Sequence, residues 1–345
     1  MINRTEADIM KNWDQSLIDS PVVSIKCLTY NHEKYIEQCL DGFLMQETAF
    51  PFEIVIHDDA STDSTADIIR RYEERYPNIL KPIYETENQY SKKDGSLRRI
   101  INKHIRGAYI ALCEGDDYWI DSQKLQKQVC FLENNPDYSM VFNAAYYVDG
   151  DTIICDDKKS DIEKDFTVSE MIRGGGSFCA TASLCYRREG MNVTFEYQKP
   201  PGAGDYRLQI AMALIGKVHY FPEIMTAYRR GTSNSNSWTN RVLANPQRRT
   251  QHWRNEISWL RILNEETNNA YAADVHYRIF WIISNIYKSG DANIKELFKA
   301  VTKLDAADKK NAIIMICRDL LQKKCSPVYN ILRYAKCAYK RIKNI

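Results

Sequence analysis

The chain reads GAYIALCEGDDYW from Gly107 to Trp119. The apolar run over 107–113 is typical of a buried strand, and it leads directly into the acidic turn EGDD at 114–117. Three carboxylates in four residues repel one another and cost stability unless a cation or hydrogen-bond donors compensate. The stretch therefore predicts a buried strand that carries a functional acidic turn at its carboxyl end.

Two earlier strands also end in polar loops. The apolar run over 22–28 is followed by Tyr-Asn-His, and the run over 52–57 is followed by Asp-Asp-Ala-Ser-Thr-Asp. Strands that alternate with helices predict βαβ units and a mostly parallel sheet, whose ligands bind beyond the carboxyl ends of the strands. We therefore expect the loops after Leu28, His57 and Cys113 to converge on one crevice. In this first part the predicted strands cover 22–28, 52–57, 79–84 and 107–113, and the predicted helices cover 33–46, 63–76 and 97–105.

The rest of the chain predicts a mixed sheet followed by helices. Apolar spacing predicts helices over 121–134 and 204–215 and strands over 140–148, 178–186 and 217–229, with a polar excursion at 149–165. Beyond about residue 240 the apolar periodicity is only helical. The fold class is therefore α/β, a mixed sheet flanked by helices, with a C-terminal all-helical appendage. The predicted organisation is a lead-in at 1–20, a catalytic domain at 21–240 and a helical region at 241–345.

The composition of the chain indicates which broad classes of protein it fits. With 44% hydrophobic and 27% charged residues the chain is globular, and a net charge of +2 gives no basic footprint for nucleic acid. The ten cysteines include no C-x-x-C pair, so we interpret them as reduced core residues. The polar N-terminus and the absence of any ~18-residue apolar run favour a cytoplasmic protein, with attachment to a membrane surface left open.

The acidic turn predicts a site for a hard divalent cation. Carboxylate oxygens suit Mg²⁺ or Mn²⁺, and substrate phosphates often complete the coordination of such ions. Glu114, Asp116 and Asp117 are the candidate ligands. The alternative is a solvated acidic turn that caps the helix beginning near 121.

The other two loops offer groups that could hold a nucleoside. A carboxylate in the Asp58-Asp59 pair could accept a hydrogen bond from the imide N–H of uracil or thymine, which cytosine lacks. The alternative is a helix N-cap supplied by Ser61 or Asp63. In the first loop, Tyr30 could stack on a base and its polar neighbours could bind ribose or phosphate, although Asn31 followed by Glu33 is equally a helix start.

In combination the three loops resemble the family 2 glycosyltransferases. The similarity rests on VSIxxxTYN, then EIVIxDDxSTD, then GxYIxxxEGDDYW, in this order, and it covers roughly 21–230. The resemblance implies the GT-A fold, a Rossmann-like sandwich, and inversion at the anomeric carbon of the transferred sugar. It also implies a nucleotide-sugar donor, with a UDP-sugar favoured and a dTDP-sugar allowed by the same base contact.

The resemblance assigns roles to residues at matching positions. It places Asp117 on a Mn²⁺ or Mg²⁺ ion that bridges the diphosphate, and it places Glu114 at the first position of the family's D-x-D element. Glutamate at that position departs from the commonest form, which bears on its part in metal binding. The implied nucleotide-binding residues are Thr29, Tyr30, Glu33, Asp59 and Asp116.

The resemblance further implies a catalytic base on the acceptor side. The best match is Asp205, in the sequence GAGDYRL at 202–208. An inverting displacement needs such a base within hydrogen-bond reach of the acceptor hydroxyl. The alternative is that Asp205 only caps the helix at 206–215.

Four arginines are candidate phosphate contacts. Arg229 and Arg230 precede a Ser/Asn-rich segment at 232–237 that could close over a pyrophosphate, and Arg98 and Arg99 precede the strand at 107–113. Arginines in such positions are otherwise solvated.

The C-terminal segment predicts a basic amphipathic helix. Residues 318–345 contain eight Lys or Arg against one Asp, interleaved with apolar side chains. Such a helix could lie on anionic lipid, which suits a lipid-linked saccharide acceptor, or it could pack on a neighbouring helix. The resemblance favours a growing surface glycan as acceptor, and a homo-oligomer is compatible with the sequence.

Two other functions are compatible with the same fold class. A nucleotidyltransferase would also need acidic metal ligands, but it would open with a glycine-rich, basic phosphate loop after the first strand, and residues 28–31 are Leu-Thr-Tyr-Asn. A non-catalytic nucleotide-sugar-binding or assembly protein would retain the fold. Hydrolysis of the donor in the presence of Mn²⁺ would distinguish an enzyme from such a non-catalytic protein.

Overall fold

A computed structural model describes residues 3–17, 19–150, 152–190, 204–230, 242 and 244–324, with the backbone alone at 15 and 317–324. One ten-stranded mixed sheet organises the described residues. Its main path runs β3-β2-β1-β4-β9-β6-β10-β5, with β7 paired to β6 and β8 paired to β10. The strands are β1 (Val23–Thr29), β2 (Phe52–Asp58), β3 (Leu80–Tyr84), β4 (Tyr109–Leu112), β5 (Tyr118–Trp119), β6 (Tyr138–Asp149), β7 (Thr152–Asp156), β8 (Lys164–Phe166), β9 (Cys185–Arg187) and β10 (Lys217–Arg229).

The first four strands form the parallel half of the sheet. β1 pairs in parallel with β2 on one side and with β4 on the other, and β2 pairs in parallel with β3. The register places Thr29 opposite Asp58, so β1 and β2 end at the same edge. Every residue of β2 is buried, as expected for a strand covered on both faces.

The second half of the sheet is mixed. β9 is antiparallel to both β4 and β6, β10 runs parallel to β6, and the short β5 is antiparallel to β10. The pairing of Trp119 with Thr226 brings the chain just after the acidic turn against the end of β10. This topology confirms the predicted mixed sheet.

Helices flank the sheet and bury their apolar faces against it. These are α1 (Glu6–Met10), α2 (Ile36–Leu44), α3 (Thr65–Arg75), α4 (Gln89–Lys92), α5 (Ser96–His104), α6 (Lys124–Asn134), α7 (Val168–Gly174) and α8 (Gly204–Ile215). In α2, Ile36, Leu40 and Phe43 are fully buried. Ile9 and Trp13 also belong to the core, so the predicted lead-in packs as part of the fold.

The later helices are α9 (Pro246–Glu266), α10 (Ala272–Lys288), α11 (Ile294–Thr302) and α12 (Ala306–Lys324). The chain divides into two compact units, Met1–Ile262 and Leu263–Ile345. The predicted boundary near residue 240 lies outside the described residues and stays a prediction, as does the part of the predicted basic amphipathic helix beyond residue 324. Among the described helices, none has the length and apolarity needed to cross a bilayer.

Some predicted elements differ in detail. The predicted strand at 178–186 is a 3₁₀ turn, Thr181–Ser183, followed by β9. The Ser183 hydroxyl donates to the carbonyl of Ala180 at 2.7 Å, a local bond that competes with strand pairing. The polar excursion at 149–165 contains β7, which is exposed along its length, and the start of β8, which has only three residues.

Candidate active site

The acidic turn continues the hydrogen-bond ladder of β1. The amide of Cys113 donates to the carbonyl of Lys26 at 3.2 Å, and that of Gly115 donates to Leu28 at 2.9 Å. Gly115 packs so closely that a Cβ there would lie 2.7 Å from Oγ1 of Thr29. The backbone of β1 therefore fixes the turn in place beside the first loop.

The three carboxylates of the turn lie together. One oxygen each from Glu114, Asp116 and Asp117 lies within 4.8 Å of the others. Asp116 is half-buried, and its Oδ2 is 4.0 Å from Nε2 of His32. The geometry brings together the ligand set that the sequence predicts.

Asp117 is the buried member of the cluster. Its Oδ1 accepts a hydrogen bond from the amide of Arg229 at 2.8 Å. Its Oδ2 is buried and has no hydrogen-bond partner among the described residues. Burial and then the charge of Asp116 raise the pKa of this carboxyl well above its usual range. A buried carboxylate oxygen without a donor, flanked by two more carboxylates, fits a divalent cation with oxygen ligands.

Glu114 retains access to solvent at the rim of the cluster. Desolvation, followed by the charges of Asp116 and Asp205, raises its pKa to about 8. The charge of Asp205, distant in sequence, is thus the smallest of the three causes that act on the pKa of Glu114. A cation bound here would compensate this repulsion.

The loops after β1 and β2 are joined by side chain to backbone bonds. Ser61 Oγ accepts from the amide of Asn31 at 2.9 Å, and Asn31 Oδ1 accepts from the amide of Thr62 at 2.8 Å. Asn31 and Ala60 both have a left-handed backbone, with φ of 56° and 60°. Non-glycine residues in this region carry strain and persist where the surroundings impose it, often at functional sites.

Glu33 also forms hydrogen bonds between the loops that follow β1 and β2. Its amide donates to Oδ2 of Asp63 at 3.2 Å, and its Oε2 accepts from the amide of Ser64 at 3.1 Å. Oδ1 of Asp63 accepts from the amide of Thr65 at the start of α3. Asp63 therefore bonds as the helix-cap alternative for the loop after β2 describes. The role of Glu33 in binding the nucleotide stays a prediction.

Asp59 is buried at the carboxyl end of β2. Its two oxygens accept from the amides of Gln89 at 2.6 Å and Tyr90 at 3.0 Å, in the first turn of α4. Each of these oxygens has a second lone pair that could still accept a hydrogen bond from a base. Recognition of the base by Asp59 stays a prediction. Asp58 instead accepts a hydrogen bond from the hydroxyl of Ser61. In the first loop, Thr29 is buried and Tyr30 is half-buried.

Asp205 lies in the first turn of α8 and is half-buried. Its Oδ1 accepts from the amide of Tyr206 at 2.8 Å, and its Oδ2 accepts a long hydrogen bond from the Thr181 hydroxyl at 3.4 Å. Burial is the largest cause that raises the pKa of Asp205. A raised pKa suits a general base, whose ideal value lies near the working pH. Residues 202 and 203 lie outside the described residues.

The four predicted phosphate contacts lie in different surroundings. The guanidinium of Arg229 donates to the carbonyl of Asp116 in the acidic turn. Arg230 lies 5.1 Å over the ring of Tyr147, and Arg99 donates to the carbonyl of Asp94 at 2.5 Å. Arg98 is half-buried, and its charge adds to burial in lowering the pKa of Lys26 to about 8. All four roles stay predictions.

Several residues that contact Arg229 or Asp205 were not predicted from the sequence. Gln38 accepts a hydrogen bond from Arg229, and the rings of Tyr35 and Tyr118 stack on its guanidinium. Thr181 contacts Asp205. Tyr118 adjoins the turn and could have been named from the sequence, whereas the others carry no local signal.

Comparison with known proteins agrees with this geometry. Residues 24–193 match the family model described as Glycosyl transferase family 2. The matched part of the chain, just under half of its length, is therefore a glycosyltransferase family 2 region. An uncharacterised protein of Mycobacterium tuberculosis is 36% identical over 215 residues, which are 60% of this chain and 58% of that protein. The chain thus matches little more than half the length of that relative.

Proteins similar to this chain include named glycosyltransferases. WfaP of Escherichia coli, a UDP-Glc:alpha-D-GlcNAc-diphosphoundecaprenol beta-1,3-glucosyltransferase, is 31% identical over 177 residues, covering 51% of this chain and 65% of WfaP. TarS of S. aureus, residues 1–349, superposes with a TM-score of 0.57 at 19% identity, covering 90% of this chain and 87% of TarS. The mannosyltransferase PcManGT from Pyrobaculum calidifontis, in complex with GDP-Man and Mn²⁺, gives 0.51 at 17% identity and covers 88% of each chain. The GT-A fold implied by the sequence is confirmed.

Proposed function

We propose that this chain is an inverting, metal-dependent glycosyltransferase that transfers a sugar from a nucleotide sugar to a hydroxyl of a saccharide or lipid-linked saccharide. The observation that carries the proposal is the buried Oδ2 of Asp117, which has no hydrogen-bond partner among the described residues and lies beside Glu114 and Asp116. A carboxylate cluster that holds a cation can bind a diphosphate through that cation.

The donor site is assembled from the three loops. Asp117 and Glu114 would hold the Mn²⁺ or Mg²⁺ ion, which when bound stabilises negative charge on the departing nucleoside diphosphate. Asp116 would bind the ribose. The nucleoside would lie against the loops after β1 and β2, with Thr29, Tyr30, Glu33 and Asp59 as its contacts.

Asp205 would act as general base. Its Oδ atoms would accept the proton of the acceptor hydroxyl as that oxygen attacks the anomeric carbon from the side opposite the diphosphate, which inverts the configuration. The influence of Asp205 on the pKa of Glu114 supports a position beside the donor site. The Thr181 hydroxyl would orient the carboxylate.

Names of related proteins support the choice of substrates. The donor in the name of WfaP is UDP-Glc, and its acceptor is a diphosphoundecaprenol-linked sugar. A poly(ribitol-phosphate) beta-glucosyltransferase of Bacillus spizizenii is 36% identical over 114 residues, 33% of this chain and 17% of that protein. TarS has been crystallised with UDP-GlcNAc. We therefore favour a UDP-sugar donor and a role in surface polysaccharide synthesis, with the basic segment 318–345 placing the enzyme on the cytoplasmic face of a membrane.

A thermal-shift panel tests the donor and the metal together. UDP-, dTDP- and GDP-sugars are added with and without Mn²⁺, and we expect selective, Mn²⁺-dependent stabilisation by a UDP-sugar that is lost in Asp117→Ala. Stabilisation that is equal without Mn²⁺, or unchanged in Asp117→Ala, would overturn the metal assignment. Mn²⁺-dependent release of free sugar from the donor then separates an enzyme from a protein that only binds nucleotide sugars.

A further inference from the structure

Arg229, the last residue of β10, is bonded to the acidic turn at two points. Its amide donates to Oδ1 of Asp117 at 2.8 Å, and Nη1 of its guanidinium donates to the backbone carbonyl of Asp116. Both contacts involve the turn that carries the candidate metal ligands. The position of this turn therefore depends on where Arg229 lies.

The guanidinium is itself held by α2 and β5. Nη2 donates to Oε1 of Gln38. The ring centroids of Tyr35 and Tyr118 lie 4.7 Å and 4.6 Å from its Cζ. Arginine suits such a site because its planar group can stack on aromatic rings while its edge donates hydrogen bonds. The contacts join three elements around the turn: α2 with the residue before it, β5 and β10.

These contacts direct Nη1 and Nη2 to groups of the protein. We propose that Arg229 is a positioning residue, which holds the Asp116-Asp117 backbone in the geometry that binds the cation, and that its main role is not contact with the donor phosphates. The inference rests on the proposed function, since it concerns the same metal site.

Electrostatics alone predicts the opposite effect of removing this residue. A positive charge beside three carboxylates repels a divalent cation, so its loss should tighten cation binding. If Arg229 positions the ligands, its loss should weaken cation binding in spite of the lost repulsion. The sign of the change in Mn²⁺ affinity thus distinguishes the two effects.

The experiment is a Mn²⁺ titration of the full chain without nucleotide, in which electron paramagnetic resonance reports the free ion. We expect Arg229→Gln to raise the Kd for Mn²⁺ by about 5- to 20-fold, the range expected when stacking and charge-assisted hydrogen bonds are lost. Tyr35→Leu, which leaves the net charge unchanged, should raise it in the same direction, and Arg229→Lys should fall between wild type and Arg229→Gln.

Arg70→Gln is the matched control. Arg70 also stacks on a tyrosine, 4.8 Å from the ring of Tyr84, and pairs with Asp67 at 2.7 Å, but it lies on α3. We expect its Kd for Mn²⁺ to equal that of wild type. Circular dichroism confirms that each variant is folded, and Tyr35→Leu still tests the idea if Arg229→Gln fails to fold.

Unchanged or tighter Mn²⁺ binding in folded Arg229→Gln or Tyr35→Leu would overturn the proposal. If Mn²⁺ binding in Arg229→Gln is unchanged or tighter while its affinity for UDP falls, the residue is a phosphate contact instead. Failure of the wild-type chain to bind Mn²⁺, with or without UDP, would refute the metal-dependent function itself.

Discussion

Asp117 and Asp205 are both acidic residues in unfavourable surroundings, but their bonding differs. Asp117 has one buried oxygen without a donor among the described residues, whereas both oxygens of Asp205 accept hydrogen bonds. The first arrangement is what a cation ligand needs before the cation binds. The second orients a carboxylate while leaving lone pairs for a substrate hydroxyl.

Asp205→Asn should retain donor binding and lose transfer. The amide cannot take up the acceptor proton, so we expect kcat to fall by about 10²- to 10⁴-fold with the donor KM near the wild-type value. Steady-state kinetics and the Mn²⁺-dependent thermal shift with the donor measure the two effects. Turnover close to wild type would remove Asp205 from the mechanism.

The pH dependence of transfer gives an independent check on Asp205. A base must be ionised to act, so activity should rise with pH through a pKa that burial has raised above the ordinary range of aspartate. The Thr181 hydrogen bond lowers this pKa. Thr181→Val should therefore move the acidic limb of the kcat/KM profile to higher pH while activity persists on the alkaline side. If the acidic limb does not move in Thr181→Val, Thr181 does not influence the pKa of the catalytic base.

The residues that were predicted from sequence are those in local motifs. The acidic turn, with Asp116 and Asp117 adjacent, and the loop at Asp59 can be named because strand and loop are contiguous in the chain. The Arg229–Gln38 contact joins residues 191 positions apart, and the Thr181–Asp205 contact joins residues 24 positions apart. No periodicity or spacing encodes such contacts, because they depend on how the strands are ordered in the sheet.

At the scale of elements, α2 approaches the backbone of β5, the strand that follows the acidic turn. A Cβ at Gly42 would lie 2.9 Å from both the backbone nitrogen and the backbone oxygen of Trp119. Trp119 is the second residue after Asp117. A shift of α2 against Trp119 would therefore displace the candidate metal ligands.

Gly42→Ala should therefore destabilise the protein although alanine favours helices. The helix propensity gain is about 1 kcal/mol, but backbone atoms cannot move aside, and the overpacking should cost about 1–3 kcal/mol and weaken Mn²⁺ binding. Urea unfolding and Mn²⁺ titration measure both. Gly176→Ala is the control, because its Cβ would meet Tyr206 at an ordinary 3.5 Å. Equal stability of the two variants would contradict the argument.

Lys124 in α6 is a cation enclosed by the core. It is 0% exposed, donates to Gln128 at 2.8 Å and lies 4.1 Å from the ring of Trp119. Burial lowers its pKa from 10.5 to about 8. Between these values the unfolded chain binds one more proton than the folded chain, so this group makes stability rise with pH.

Lys124→Met should remove the contribution of Lys124 to the rise of stability with pH. The stability of wild type relative to Lys124→Met should increase between pH 8 and 10 by at most ~3 kcal/mol, the upper limit set by the difference in pKa. Urea unfolding at the two pH values measures the change. Exposed Lys217, whose pKa is raised by its hydrogen bond to Asp137, is the control, and Lys217→Met should show no such increase. A flat difference for Lys124 would show that its ammonium group is not buried in solution.

Elements with strong periodicity were predicted closely, and those defined by tertiary pairing were not. The buried strand β2 and the amphipathic helix α2 have apolar patterns that define them within a few residues. β7 is exposed along its whole length and pairs with β6 alone among the described strands, so its sequence has no buried face to detect. β5, two residues long, exists only because β10 lies beside it.

At the scale of the whole molecule, the packing of helix α9 bears on the domain boundary near residue 240, which stays a prediction. The sequence places the boundary near 240, whereas the first compact unit extends to Ile262, within α9. Trp259 of this helix is 1% exposed. Its ring packs edge-on against Tyr206 with centroids 5.5 Å apart, and Arg207 lies 5.2 Å over it.

A chain ending at residue 240 should therefore fold poorly, whereas one ending at residue 266 should retain the site. Loss of a buried tryptophan alone costs about 3–5 kcal/mol, a large fraction of the 5–15 kcal/mol that stabilises a typical domain, and here it would uncover the residues next to Asp205. Circular dichroism and the Mn²⁺-dependent thermal shift with a UDP-sugar compare the two truncations with the full chain. In the full chain, Trp259→Ala should lower stability by a similar amount while leaving Mn²⁺ affinity near wild type, because Trp259 packs on the Asp205 side of the site. If the chain ending at 240 melts at the same temperature as the one ending at 266, α9 lies outside the catalytic unit and the boundary near 240 is correct.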